Sequence, residues 1–155
     1  MTSRYQKHTI ELEKRIKSCP VDFLRVDNLI KRARKDLATA RHLWATDLDV
    51  AYTLLYDCML HAGIAFMSVS GVRPDVRGKH KTVIEYVASI LGSKYKSHME
   101  CYDRMRRKRH LLIYEPGPNT CTEKEMEETE QMAKDFLGLI CDKIKAKNPQ
   151  QEFDF

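Results

Sequence analysis

Residues 50–69 read V-A-Y-T-L-L-Y-D-C-M-L-H-A-G-I-A-F-M-S-V, and this stretch decides the fold. It is the most apolar segment of the chain, and Asp57 is its only charged residue. Its length and composition predict a helix that is apolar on nearly all sides. Such a helix must be covered on nearly all sides, so we expect it to form the centre of a helical bundle or to face a second subunit as well.

The flanking segments also show helical periodicity. Residues 24–44, for example, place apolar side chains at spacings of three and four, which is typical of an amphipathic helix. Further helices are predicted at residues 5–17, 81–91, 93–115 and 122–147. The last begins with the capping-box pattern Thr122-x-x-Glu125. Alternation of period two is too short to predict a sheet.

Short connections between such helices favour an all-α fold, an antiparallel up-and-down bundle of four to five main helices. We expect residues 1–20 to form an N-terminal arm or short helix and residues 21–147 to form the bundle. Residues 148–155 are expected to be a flexible C-terminal tail.

Composition narrows the class of protein. The chain has 155 residues, of which 43% are hydrophobic and 32% charged, with a formal net charge of +5, as in an ordinary soluble domain. Its five cysteines are widely spaced and form no C-x-x-C pair, which argues against a disulfide scaffold or zinc finger and suits a reducing cytoplasm. Because no apolar signal segment or membrane-length apolar run is visible, we expect a cytoplasmic protein without a membrane partner.

Resident metals and cofactors are not expected. The six histidines are scattered, without the spacing that metal ligands need on a helix. Phosphate-binding glycine loops and serine nucleophile elbows are absent from the sequence as well. His61 is better interpreted as a hydrogen-bonded core histidine than as a ligand, and His80 as part of the local structure before a helix.

The most chemically suggestive segment is residues 103–116, D-R-M-R-R-K-R-H-L-L-I-Y-E-P, where five cations precede one histidine. On a helix, Arg106, Arg107 and Tyr114 fall within roughly 60° of His110. Arg109 falls about 100° from His110, bordering the apolar side. A cation there needs a partner, an interface or a ligand to offset its desolvation.

This basic segment predicts a polyanionic partner such as RNA. RNA can be cleaved without a metal if a general base activates the 2′-hydroxyl and a cation stabilises the charge developing on phosphate oxygens. Histidine and arginine are sufficient for both tasks. The structural alternative is a basic helix face that is merely solvated.

Four stretches together resemble the HEPN (higher eukaryotes and prokaryotes nucleotide-binding) superfamily, and in particular its HepT-like group of toxin and defence ribonucleases. They are A-Y-T-L-L-Y-D-C-M-L-H-A at 51–62, G-V-R-P at 71–74, G-K-H-K-T-V-I-E at 78–85 and R-R-K-R-H-L-L-I-Y-E-P at 106–116. The resemblance implies an all-helical bundle, a homodimer that brings two copies of the motif into one cleft, and in many members metal-independent endoribonuclease activity. Such members act as toxins beside a nucleotidyltransferase antitoxin or in phage defence.

The family signature, an arginine followed four to six residues later by histidine, fits this chain in two registers. Arg104-x5-His110 has the formal spacing but leaves the two side chains about 120° apart on a straight helix. Arg109-His110-x-x-x-Tyr114 lies against the helix-ending Glu115-Pro116, as the family pattern does, but has tyrosine in place of histidine. We prefer the second register.

In that register the resemblance implies that Arg109 stabilises phosphate charge, that His110 acts as base or phosphate orienter, and that Tyr114 assists. Backbone affinity would come from four further cations: Arg104, Arg106, Arg107 and Lys108. Because a phenol is a poor base near neutral pH, either His110 takes over proton transfer or the protein binds RNA without cutting it. The alternative function is a non-catalytic helical module that pairs with a nucleotidyltransferase or another toxin-antitoxin partner.

Overall fold

A computed structural model describes residues 4–117 and 121–148, with the side chains of Arg4 and Tyr5 left out. The predicted tail therefore lies outside the described residues from 149 onward. The elements are α1 (Arg4–Lys14), β1 (Ile16–Ser18), α2 (Phe23–Leu43), α3 (Leu48–Val69), β2 (Val72–Pro74), α4 (Lys79–Leu91), a 3₁₀ turn (Ser93–Tyr95), α5 (Lys96–Tyr114) and α6 (Glu123–Lys147). The predicted all-α helical bundle is confirmed.

Helix α3 is the centre of the bundle. It contacts α2, α4, α5 and α6 as well as β2. Its largest fully buried side chains come from several directions around the helix, among them Tyr52, Leu55, Tyr56, Met59, Phe66 and Met67. The central position expected for residues 50–69 is therefore observed, because the other helices cover most of α3.

The same helix is the one element in the described part of the chain that is long and apolar enough to cross a membrane. However, 72% of the most apolar stretch of this helix is buried inside the protein. This burial is what a core helix of a soluble protein shows.

Side-chain caps start three of the helices. The carboxylates of Asp22 and Asp47 accept hydrogen bonds from backbone N–H groups in the first turns of α2 and α3, and the Thr122 hydroxyl accepts one from the Glu125 N–H. Of the predicted capping box at α6, the hydrogen bond that Thr122 accepts from the Glu125 backbone is thus confirmed. The helix predicted from residue 93 begins later, because the chain makes a 3₁₀ turn at Ser93–Tyr95 and α5 starts at Lys96, without a side-chain cap.

The N-terminal arm is attached to the bundle by a short sheet that the sequence pattern did not predict. Strand β1 pairs antiparallel with β2, with Lys17 opposite Arg73. Beside this pairing, Arg15 forms an ion pair with Glu85 and donates a hydrogen bond to the Thr82 hydroxyl at 3.2 Å. Backbone pairing and one charged contact therefore hold the arm against the start of α4.

Candidate functional site

Helix α5 carries the basic segment and ends where the sequence predicts. Its buried face consists of Met99, Cys101, Tyr102 and Met105, which leaves the cations to the borders and the outer face. The helix stops at Tyr114, and the backbone N–H of Glu115 still donates to the Leu111 carbonyl at 2.8 Å.

Arg109 turns toward α3, at the border of the core. Its Nε lies 3.3 Å from a carboxylate oxygen of Asp57, and both side chains are 25% exposed. Its Cζ lies 5.4 Å from the ring centroid of Tyr56, a cation–π distance. This Nε is buried, and its contact with Asp57 is an ion pair. The need for a partner at this position is thus met from α3.

The residue that sequence reasoning missed is His80, in the first turn of α4. Its Nδ1 lies 2.8 Å from the Tyr56 hydroxyl, and the two rings are almost parallel, with centroids 5.7 Å apart. Partial burial, together with the charges of Arg109, Lys79 and Arg106, lowers the pKa of His80 below its usual value. The imidazole is therefore neutral at pH 7.

Tyr56 connects the arginine to the histidine. The ring is fully buried, and burial raises the pKa of its hydroxyl although Arg109 and Arg106 oppose the shift. The group thus remains a phenol that can donate to Nδ1 of His80 or accept from it, depending on the histidine tautomer. The elements α3, α4 and α5 meet at this point. We call the group of Tyr56, Asp57, His80, Arg106 and Arg109 the three-helix cluster.

Asp103 holds the neighbouring arginines on α5. Its two oxygens accept from Nε of Arg106 at 3.0 Å and pair with Arg107 at 3.3 Å. Arg106 is only 28% exposed, whereas Arg107 is 67% exposed. The charge of Arg106 acts on His80 and Tyr56, as expected for a member of the three-helix cluster, while Arg107 is mostly exposed to solvent.

His110 and Tyr114 form a separate pair on the exposed side. Their rings lie 4.7 Å apart between centroids, and Tyr114 is 69% exposed. The preferred motif is thus divided by the helix: Arg109 contacts α3, while His110 and Tyr114 contact each other near solvent. Arg109 instead lies near His80, because both side chains contact Tyr56.

The remaining two predicted RNA-binding residues differ in their surroundings. Arg104 is exposed at the edge of a groove of about 520 Å³ that Leu111 and Leu112 also line. Lys108 borders the same groove but is only 20% exposed, since its ammonium pairs with both carboxylate oxygens of Glu125 on α6 and lies 5.2 Å from the Tyr52 ring centroid. Lys108 thus joins α5 to α6.

His61 is hydrogen-bonded, as predicted, but it lies at the border of the core, with its side chain 27% exposed. Its Nδ1 lies 2.8 Å from Asp36, a carboxylate that is only 1% exposed and that also accepts from Arg32 at 2.9 Å. Among residues 4–117 and 121–148, no group of three or more histidine, cysteine or acidic side chains is arranged to hold a metal ion.

One sequence signal could have identified His80. It follows Gly78, whose φ of 66° ends the preceding loop in the left-handed region. The helix start then places the next residues, including the histidine, near the positive end of the α4 dipole. The pairing with Tyr56, however, joins residues 24 positions apart and needs the tertiary structure.

Comparison with protein-family models, with curated proteins and with solved structures found no match to this chain. Membership of the HEPN superfamily therefore stays a prediction.

Proposed function

We propose that this chain binds RNA at the basic end of α5 and cleaves it without a metal ion, as a cytoplasmic, homodimeric HEPN-like ribonuclease of a toxin or phage-defence system. The observation that supports the proposal most is the three-helix cluster. It sets two guanidinium groups beside a neutral imidazole at the edge of the core, where charge interactions are stronger than in bulk water.

These groups match what the chemistry needs. The 2′-oxygen of a ribose, once its proton is accepted by a histidine, attacks the adjacent phosphorus. The bond to the 5′-oxygen then breaks, and that oxygen leaves with a proton from solvent. Negative charge builds up on the phosphate oxygens during this step, and the guanidinium of Arg109 stabilises it. His110 and Tyr114 contact the RNA from the exposed side.

The test is cleavage of labelled RNA in EDTA by the wild type and by Arg109→Ala and His110→Ala variants. We expect metal-independent cleavage, and a loss of about 10²- to 10³-fold in Arg109→Ala because the developing charge loses its stabilising cation. Arg41→Ala is the matched control, since Arg41 is an exposed arginine on α2 that pairs with Glu130. Intact RNA after long incubation at high protein concentration contradicts the catalytic half of the proposal.

A non-catalytic role has its own supporting observation. Leu111, Ile113 and Tyr114 are 54%, 43% and 69% exposed in the last turn of α5. Apolar side chains grouped in this way are typical of protein–protein contacts. On this alternative, a purified nucleotidyltransferase partner binds the wild type, and Leu111→Ser weakens that complex while leaving RNA affinity unchanged.

A further inference from the structure

We propose that His80, rather than His110, accepts the 2′-hydroxyl proton, and that Tyr56 is the positioning residue that orients its imidazole. This inference rests on the proposed ribonuclease function and names the base of that site. In the tautomer with hydrogen on Nδ1, His80 donates to the Tyr56 hydroxyl at 2.8 Å. Its Nε2 then carries the lone pair that takes the proton.

His80 is better positioned than the residue that the family motif would supply. At position 114, where the resemblance leads one to expect the family's histidine, this chain has a tyrosine, and its side chain is 69% exposed at the end of α5. His80 comes from another helix, but it shares Tyr56 with Arg109, which lies 5.4 Å from that ring. The phosphate-stabilising cation and a candidate base are therefore held by the same buried side chain.

His80 is also held in a fixed orientation. A catalytic base has to be held within hydrogen-bonding reach of the proton it takes, and side chains locked by packing do this best. Tyr56 is fully buried, and its ring also packs against Tyr102 at 5.6 Å. His80 is therefore held by a fixed partner, whereas the partner of His110 is the exposed Tyr114.

The charges around His80 and Tyr56 also favour a neutral base. His80 is partly buried and faces three cations, Lys79 on α4 and Arg106 and Arg109 on α5. Its partner Tyr56 faces the same two arginines together with Asp57 on α3 and Asp103 on α5. The cations and the positive end of the α4 dipole disfavour the imidazolium. Asp57 and Asp103 are each occupied by an arginine. His80 thus stays neutral, and able to accept a proton, at pH values below those of an ordinary histidine.

The experiment compares His80→Gln, His110→Gln and Tyr56→Phe with the wild type in the EDTA cleavage assay. Affinity is measured in parallel with an all-2′-O-methyl RNA, which binds but cannot be cleaved. We expect His80→Gln to lose about 10²-fold or more in cleavage rate, the usual contribution of a general base, while its affinity changes less than about threefold. His110→Gln should instead weaken RNA binding, because His110 contacts the RNA, and at saturating RNA its cleavage rate should fall far less than that of His80→Gln. His42→Gln is the matched control, because His42 is an exposed histidine on α2.

The dependence of the cleavage rate on pH distinguishes a general base from a structural residue, because the loss of a purely structural contact does not shift it. The wild-type rate should rise with pH through the pKa of His80, seen independently in the NMR titration of its ring, and level off before pH 7. Tyr56→Phe should shift the pH at which the rate rises, while the protein stays folded. If circular dichroism shows that His80→Gln is unfolded, the pH profile of Tyr56→Phe tests the assignment of the base in its place.

The outcomes separate the two proposals. Cleavage that survives His80→Gln overturns the assignment of the base and leaves the ribonuclease intact. Binding of the methylated RNA without cleavage of normal RNA also overturns the role of His80, but leaves the RNA-binding function. Failure to bind RNA at all overturns the proposed function and this inference together.

Discussion

At the scale of single residues, Gly63 decides how closely α3 and α4 approach. A Cβ placed at this position would lie 2.5 Å from Cγ1 of Val83, well inside van der Waals contact. The opposing side chain is a stiff, fully buried valine that cannot swing away. Because α4 carries His80 and α3 carries Tyr56, this close approach also sets the spacing of the three-helix cluster.

We therefore expect Gly63→Ala to lower the free energy of unfolding by about 1 to 3 kcal/mol, the usual cost of overpacking a core. Urea denaturation followed by circular dichroism measures it. Gly138→Ala is the matched control: it is also within a helix, but a Cβ there meets nothing within 4 Å, so stability should rise by about 0.5 to 1 kcal/mol through helix propensity. Equal effects of the two substitutions would contradict the steric account.

At the scale of elements, the N-terminal arm contributes little core. Leu12 is the buried hydrophobic side chain among the described residues of α1. The arm is held mainly by the β1–β2 pairing and by Arg15, whose guanidinium contacts Glu85 and Thr82 on α4. Since these contacts are few, we expect the arm to open without unfolding the bundle.

Arg15→Ala should accelerate amide hydrogen exchange in α1 and β1 by about fivefold, equivalent to the loss of about 1 kcal/mol of charged hydrogen bonding. Exchange in α3 should not change, because the bundle closes around it independently of the arm. Lys17→Ala serves as the control, since its ion pair with Asp75 is longer, at 3.5 Å, and more exposed. If α3 exchanges faster as well, the arm is part of the cooperative core.

At the scale of the whole molecule, charge is unevenly distributed. The 18 residues from 93 to 110 contain seven lysines and arginines, while residues 123–130 contain five glutamates. The fold partly cancels this asymmetry, because Lys108 pairs with Glu125 across α5 and α6. Arg104 and Arg107 are exposed and lie on the groove beside Leu111.

The salt dependence of RNA binding should reveal this difference among the cations. For single-stranded RNA, each phosphate contact contributes about 0.7 to the slope of log affinity against log salt. We expect Arg104→Ala and Arg107→Ala each to reduce the slope by about that amount. Lys108→Ala should leave it nearly unchanged, because this side chain is only 20% exposed and pairs with both carboxylate oxygens of Glu125, whereas Arg107, although it pairs with Asp103, is 67% exposed. Fluorescence anisotropy from about 50 to 200 mM salt measures the slopes, and a full effect of Lys108→Ala would contradict the assignment.

The helices were largely predictable because they depend on local periodicity and local stop signals. The apolar run at residues 50–69 became α3 with a start two residues earlier, and the capping box at Thr122 started α6. The short sheet was not predictable, since three-residue strands leave too little alternation to recognise and their pairing joins residues 54 to 58 positions apart.

By itself, the sequence determined the all-helical class, the need of α3 to be covered on nearly all sides, the concentration of cations on α5 and the need of Arg109 for a partner. Each of these follows from hydrophobic and charge periodicity along one helix. Only the tertiary structure decided which partner Arg109 has, which cations are already paired, and that His80 and Tyr56 lie beside it. These facts depend on contacts between helices. The periodicity of one helix indicates which of its faces is buried, but it does not indicate which side chains of other helices that face contacts.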